Sequence, residues 1–430
     1  MTNSAITKNP VVAKAIIIPF ILITTCFALW GFANDITNPM VKAFSRILMM
    51  SNFEGSLVQF AFYGGYFVMA FPAAMFIKRF SYKSGILMGL GLYATGALLF
   101  FPASLSAQFW PFLVAYFILT CGLSFLETSA NPYILSMGSS ETATRRLNLA
   151  QAFNPLGSLM GMFTAQQLIL AKLNMATSAD RAAMNPAELA TVTSSDLAII
   201  RFPYIAIAIV ILIMFVLNAI TKMPRLQESD HQLHVGATLR RLLKNKRYYE
   251  GVIAQFFYVG AQIMVWTFII HYATIELGMD EATAQGYNIA AMIIFASSRF
   301  ISTFLLKYVS PGRLLMILAI GGLLLTLGTI FLQGKAGLYS LVGISACMSL
   351  MFPTIYGIAL EGIGEDAKIG AAGLIMAILG GSVMPPLQGA IIDMGTVFDF
   401  SAVRVSFVLP LLSFMVITVF GYRAFKIYKN

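Results

Sequence analysis

Twelve apolar runs, most of about twenty residues or more, alternate along this chain with short polar connections, and that repeat constrains the fold more than any other feature. They lie near residues 16–41, 52–77, 85–102, 108–137, 147–171, 200–220, 250–275, 283–306, 314–333, 337–360, 370–392 and 403–425. A helix of that length matches the hydrocarbon thickness of a bilayer. Glycine and proline inside the runs do not argue against helices there, because neighbouring helices can satisfy freed backbone groups. The expected fold class is an all-α membrane protein with twelve transmembrane helices.

Composition agrees. The 430 residues are 58% hydrophobic and 11% charged. Soluble domains carry about 25% charged residues, so an ordinary cytosolic enzyme is excluded, as is disorder. The net charge of +10 would suggest nucleic acid in a soluble protein. Here the basic residues fall in short connections, so the lipid bilayer, and no nucleic acid, is the expected partner. With a cytoplasmic N-terminus, 20 of the 28 Lys and Arg lie on the cytoplasmic side and five opposite, with Arg201, Arg299 and Arg404 in or beside spans. The positive-inside rule then puts both termini in the cytoplasm of a bacterial inner-membrane, multi-pass protein. Cys26, Cys121 and Cys347 stand singly in apolar runs, so no disulfide, metal or other cofactor is expected. Lys8 and Lys14 precede the first run as in a signal peptide, but Asn34 to Pro39 follow without an A-x-A site. That run reads as an uncleaved helix.

The chain divides into a six-helix half (1–220), a basic cytoplasmic linker (221–247) and a second six-helix half (248–430). Gly89 and Gly96 in the third run share their spacing with Gly321 and Gly328 in the ninth. Gly157-Ser158-Leu159-Met160 in the fifth echoes Gly381-Ser382-Val383-Met384 in the eleventh. Duplicated halves place a substrate site at the midplane between them and favour a major-facilitator type of transporter working by alternating access. The signature expected after the second helix of that type is degraded, with Lys78 where an acid precedes Arg79.

Ionisable groups at membrane depth are costly and mark function by default. Glu127, near the middle of the fourth run, is either a proton carrier or a carboxylate locked by a structural partner. Removal from water disfavours the charged form of a carboxyl, which suits loading and release of protons. Asn131 follows one turn later on the same face. Asp35, flanked by Asn34 and Asn38, either faces a polar cavity from the first helix or lies in a loop beyond it. Asn148, Gln151 and Asn154 recur every three residues along the fifth run, so they form one stripe. Their amides suit a polyhydroxylated neutral ligand, or they bond between helices. Gln255, Tyr258, Gln262 and Trp266 make a face on the seventh run, and Trp30, Tyr63 and Tyr66 add aromatic surface able to stack on a sugar. Arg299 either pairs with an acid, in a gating role, or snorkels to the inner surface. His231 and His234 lie in the basic linker, where a metal site is a remote reading.

Leu126-Glu127-Thr128-Ser129-Ala130-Asn131-Pro132 and Arg146-Leu147-Asn148-Leu149-Ala150-Gln151, continued by Phe153-Asn154, resemble the fucose–galactose–glucose/proton symporters of the major facilitator superfamily. Gln59 to Phe67 and Tyr258-Val259-Gly260-Ala261-Gln262 match as well, and the similarity runs through all twelve helices. The resemblance implies proton-coupled import of a neutral monosaccharide, L-fucose first and galactose or glucose next. It implies Glu127 as proton carrier, with Gln151 and Asn154 among the sugar contacts. Two departures stand out. The helix 1 acid is Asp35, one turn before the family position, which holds Asn38. Phe352 stands where the fucose carriers are expected to have tyrosine. A drug/proton antiporter and a sugar sensor without transport are the rival readings. An enzyme is not expected, since no HExxH or GxSxG occurs.

Overall fold

The computed structural model describes residues 10–37, 40–49, 52–176, 178–224, 235–397 and 400–427. The spans are α1 (Ile17–Thr37), α2 (Asn52–Arg79), α3 (Tyr82–Ser106), α4 (Phe109–Ser136), α5 (Ala143–Gln151 with Asn154–Thr164) and α6 (Pro186–Ile220). The second half has α7 (Lys246–Leu277), α8 (Glu281–Leu305), α9 (Pro311–Phe331), α10 (Lys335–Leu360), α11 (Gly364–Ile392) and α12 (Ala402–Lys426). Eleven of these are long and apolar enough to cross a bilayer among the described residues. The twelfth, α5, is broken at Ala152 and Phe153 and runs on into a π turn at Ala165–Ile169. Twelve crossings leave both ends of the bundle on one face, called here the terminal face.

Helix starts follow ordinary capping chemistry. Ser81, Asn185, Asn245 and Asp280 each accept from the backbone N–H three residues on, satisfying a donor with no partner inside the helix. The linker carries a short helix, Val235–Lys244, from which Arg241 makes two bonds of 2.7 and 2.6 Å to Asp366 at the start of α11. His231 and His234 lie outside the described residues.

The internal echoes correspond to equivalent packing. Cβ atoms added at Gly89 or Gly96 on α3 would meet α4, and at Gly321 or Gly328 on α9 would meet α10. Gly157 of α5 lies against the Ala28 backbone of α1, while Gly381 of α11 lies against Val259 and Ile263 of α7. A break precedes each Gly-Ser pair, at Ala152 in α5 and at Ala377–Leu379 in α11. The match supports a duplicated six-helix unit. On α2 a Cβ at Gly64 would meet nothing within 4 Å, whereas one at Gly65 would press on Thr120.

Arg146, counted from sequence as a basic loop residue, is fully buried. Its guanidinium donates to the carbonyls of Ile134 at 2.7 Å and Leu135 at 2.6 Å. The last carbonyls of a helix lack partners inside it, so a cation caps α4 there and also complements its dipole.

Candidate functional site

A cavity of about 100 Å³ lies between the halves. The first half contributes Trp30, Asn34 and Asp35 from α1, Tyr63 and Tyr66 from α2, and Gln151, Asn154 and Ser158 from α5. The second contributes Val259, Gln262, Ile263 and Trp266 from α7, Met292, Phe295 and Arg299 from α8, Phe352 from α10 and Ile378 from α11. The polar wall thus belongs largely to the first half and the apolar wall to the second. One face can hydrogen-bond hydroxyls while the other covers C–H surface, which is the chemistry a sugar presents.

Helix α1 reaches the cavity because its backbone lies directly on α5. A Cβ at Gly31 would collide with the Asn154 carbonyl, so only glycine permits this approach. Asn154 donates to the Phe27 carbonyl at 3.1 Å, and Ser158 to the Gly31 carbonyl at 3.4 Å. These bonds fix the amide stripe relative to Asp35. The helical state of α1 persists to Thr37, which settles Asp35 in the helix and not in a loop. Asn38 lies outside the described residues.

Gln151 is 2% exposed and donates to the Asn131 oxygen at 2.7 Å. Its own oxygen makes no hydrogen bond among the described residues. Asn131 donates to the Glu127 carbonyl at 3.0 Å and does not reach the cavity wall. Glu127 is 1% exposed and also stands behind the wall, beside Tyr66, which separates it from the cavity. Neither Glu127 oxygen has a hydrogen-bond partner of ordinary geometry, and the same holds for the Tyr66 hydroxyl. Among the described residues no cation pairs with Glu127.

The other expected contacts divide. Asn34, Gln262 and Trp266 line the cavity, with the Trp266 indole donating to Ser345 at 3.2 Å and meeting Phe295 edge-on at 4.9 Å. Tyr258 lies behind the wall, where its hydroxyl bonds the Met348 carbonyl at 3.1 Å and its ring meets Phe352. Its helical spacing with Gln262 had suggested a shared face, but the bend of α10 draws its hydroxyl away. Arg299 neither snorkels nor pairs with an acid among the described residues. It is 3% exposed, donates to the carbonyls of Ser349 and Gln151, and lies over Phe295 at 4.6 Å. Phe295 is a lining residue that the sequence reading missed, although it falls one turn before Arg299 and so on the same face. Asn148, the third amide of the stripe, lies deeper and bonds Thr354 at 3.0 Å.

A larger space of about 1360 Å³ opens on the terminal face. Both halves line it, among others through Lys83, Thr144, Lys222, Gly357, Glu361 and Lys368.

The chain is 54% identical over 426 residues to the L-fucose-proton symporter of Haemophilus influenzae, covering 97% of this chain and 99% of that one. It is 35% identical to the L-fucose-proton symporter of Escherichia coli, over 97% and 95% of the two chains. Its structure superimposes with a TM-score of 0.88 on the transporter FucP in the outward conformation, at 35% identity over 96% of this chain and 99% of that chain. Paired six-helix units, a cavity at their junction and a match of the family model over residues 22–385 lead to one conclusion: the chain belongs to the Major Facilitator Superfamily.

Proposed function

We propose that this membrane-spanning protein imports a neutral monosaccharide together with protons by alternating access, and that the sugar is L-fucose. One observation carries the reading. Asp35, the amides of Asn34, Gln151, Asn154 and Gln262, and the indoles of Trp30 and Trp266 face one cavity between the two halves. Amides and indoles recognise a hydroxylated ring without charge, and a carboxyl in the same space ties binding to protonation. Glu127 is the second proton station, reached from the cavity past Tyr66. Asn131 acts through Gln151 and Tyr258 through Phe352, each holding a wall residue in place. The likeness to two L-fucose-proton symporters over nearly the whole chain supports the sugar. The twenty-to-five distribution of Lys and Arg supports a cytoplasmic terminal face in the bacterial inner membrane. The cavity then exchanges access between the two sides of the membrane as the halves rock.

The test is the external pH of lightly buffered, de-energised vesicles on addition of L-fucose. Alkalinisation is the expected result, because protons enter with the sugar. Alkalinisation with galactose or glucose but not L-fucose keeps the mechanism and changes the substrate. Silence with all three sugars from protein shown to be folded and inserted overturns the symport reading in favour of a sensor or a drug antiporter.

A further inference from the structure

Three of the buried arginines, Arg146, Arg299 and Arg404, bond to backbone carbonyls, whereas Arg181 pairs with Asp196. Arg146 caps α4, and Arg404 donates to the Ile330 carbonyl at 2.8 Å near the end of α9. Each of these serves its own half. Arg299 differs, because its guanidinium joins the two halves. Its Nε donates to Ser349 at the break in α10, and its Nη1 donates at 3.0 Å to Gln151 at the break in α5. Carbonyls at a helix break lose their partners within the helix, and a charged donor makes the stronger hydrogen bond to them.

Two further contacts continue from this point toward the terminal face. Asn148 Nδ2 donates to Thr354 Oγ1 at 3.0 Å, and a Cβ at Gly357 would lie 2.8 Å from Thr144 Oγ1. Helices α5 and α10 run antiparallel, so Gln151 with Ser349, Asn148 with Thr354, and Thr144 with Gly357 form successive levels of one ladder. Gln151 and Arg299 line the cavity, whereas Thr144 and Gly357 line the large basin. Thr144 and Gln151 stand seven positions apart on α5, so the wall between the two spaces is about 10 Å thick.

We propose that Arg299 is the positioning residue that holds this wall shut, a two-pronged latch whose release opens the cavity to the terminal face. The proposal rests on the alternating-access reading above, since a latch matters only if the wall opens. The guanidinium also lies over the Phe295 ring, 4.6 Å from its centroid. A guanidinium has five N–H donors in a rigid fork, so it spans two acceptors that an ammonium cannot hold in the same geometry.

The experiment places a cysteine at Ile263, an apolar cavity residue of α7, in the otherwise native chain. The native Cys26, Cys121 and Cys347 are buried. A membrane-impermeant maleimide is supplied to sealed vesicles from each face in turn, without sugar. Arg299→Gln is expected to raise labelling from the terminal face about tenfold and to leave labelling from the opposite face unchanged or lower. Arg299→Lys, the milder change, is expected to label nearer to the Gln variant than to the parent. Equal terminal-face rates in all three proteins overturn the latch, as does an equal rise from both faces. Parent-like labelling in Arg299→Lys overturns the two-pronged bridge. Should Arg299→Gln fail to fold, Arg299→Lys decides alone. Because no sugar is present, a wrong substrate assignment leaves these outcomes intact, and the vesicle pH assay reads that error separately.

Discussion

Gln151 donates its amide to the Asn131 oxygen at 2.7 Å, and this bond sets the angle at which Gln151 meets the cavity. Asn131 itself is anchored by the Glu127 carbonyl at 3.0 Å on its own helix. A residue with no access to the cavity therefore orients one that lines it.

Asn131→Ala should weaken sugar binding without removing a contact to sugar. Gln151 then loses the bond that orients it, and a hydrogen bond to sugar weakened by about 1.4 kcal/mol corresponds to a KM raised about tenfold. Uptake kinetics with radiolabelled L-fucose check this. An unchanged KM would show that Gln151 is positioned by its backbone alone.

Glu127→Gln separates proton coupling from sugar movement. The amide preserves the shape of a carboxyl that has no cation partner among the described residues, so the fold should tolerate it. Exchange of labelled for unlabelled sugar should continue, while accumulation against a gradient is lost. Uphill accumulation by this variant would remove Glu127 from the proton path.

The outline of the fold was legible in the sequence because lipid imposes a simple length rule, and the Gly-Ser echo located the duplicated packing. The site was legible in part. Residues whose role depends on helix periodicity, such as Gln151, Asn154, Gln262 and Trp266, fall on the cavity wall. Asn131 and Tyr258 share those faces yet stand one layer back, since a face includes flanks as well as a crest and periodicity does not rank them. Arg299 was visible as a buried charge, but its partners were not. They are backbone carbonyls in α5 and α10, left without a helical donor because Pro155 and Pro353 stand four residues on, and only the fold brings both of them to Arg299.

Gly31→Ala should destabilise the first half, whereas Gly64→Ala should not. The first places a methyl group into the Asn154 carbonyl, where overpacking typically costs about 1–3 kcal/mol. The second meets nothing within 4 Å and gains helix propensity of up to about 1 kcal/mol. Thermal unfolding in detergent should show a lower midpoint for the first and an equal or higher one for the second. Equal losses in both would mean that α1 and α5 are able to separate slightly without penalty.

Phe352→Tyr should change which sugar is preferred. Phe352 is 7% exposed, lines the cavity, and meets Trp30 and Tyr258 edge-on at 6.3 Å each. A phenol, which the fucose carriers are expected to have at this position, adds a donor and an acceptor to an apolar stretch of the wall. Gain of one buried hydrogen bond to sugar is worth about 0.5–1.5 kcal/mol. The ratio of kcat/KM for L-fucose over galactose should therefore rise several-fold, measured by uptake of each labelled sugar. A ratio that stays constant while both values fall would mean that the phenol blocks the cavity instead of reading the ligand.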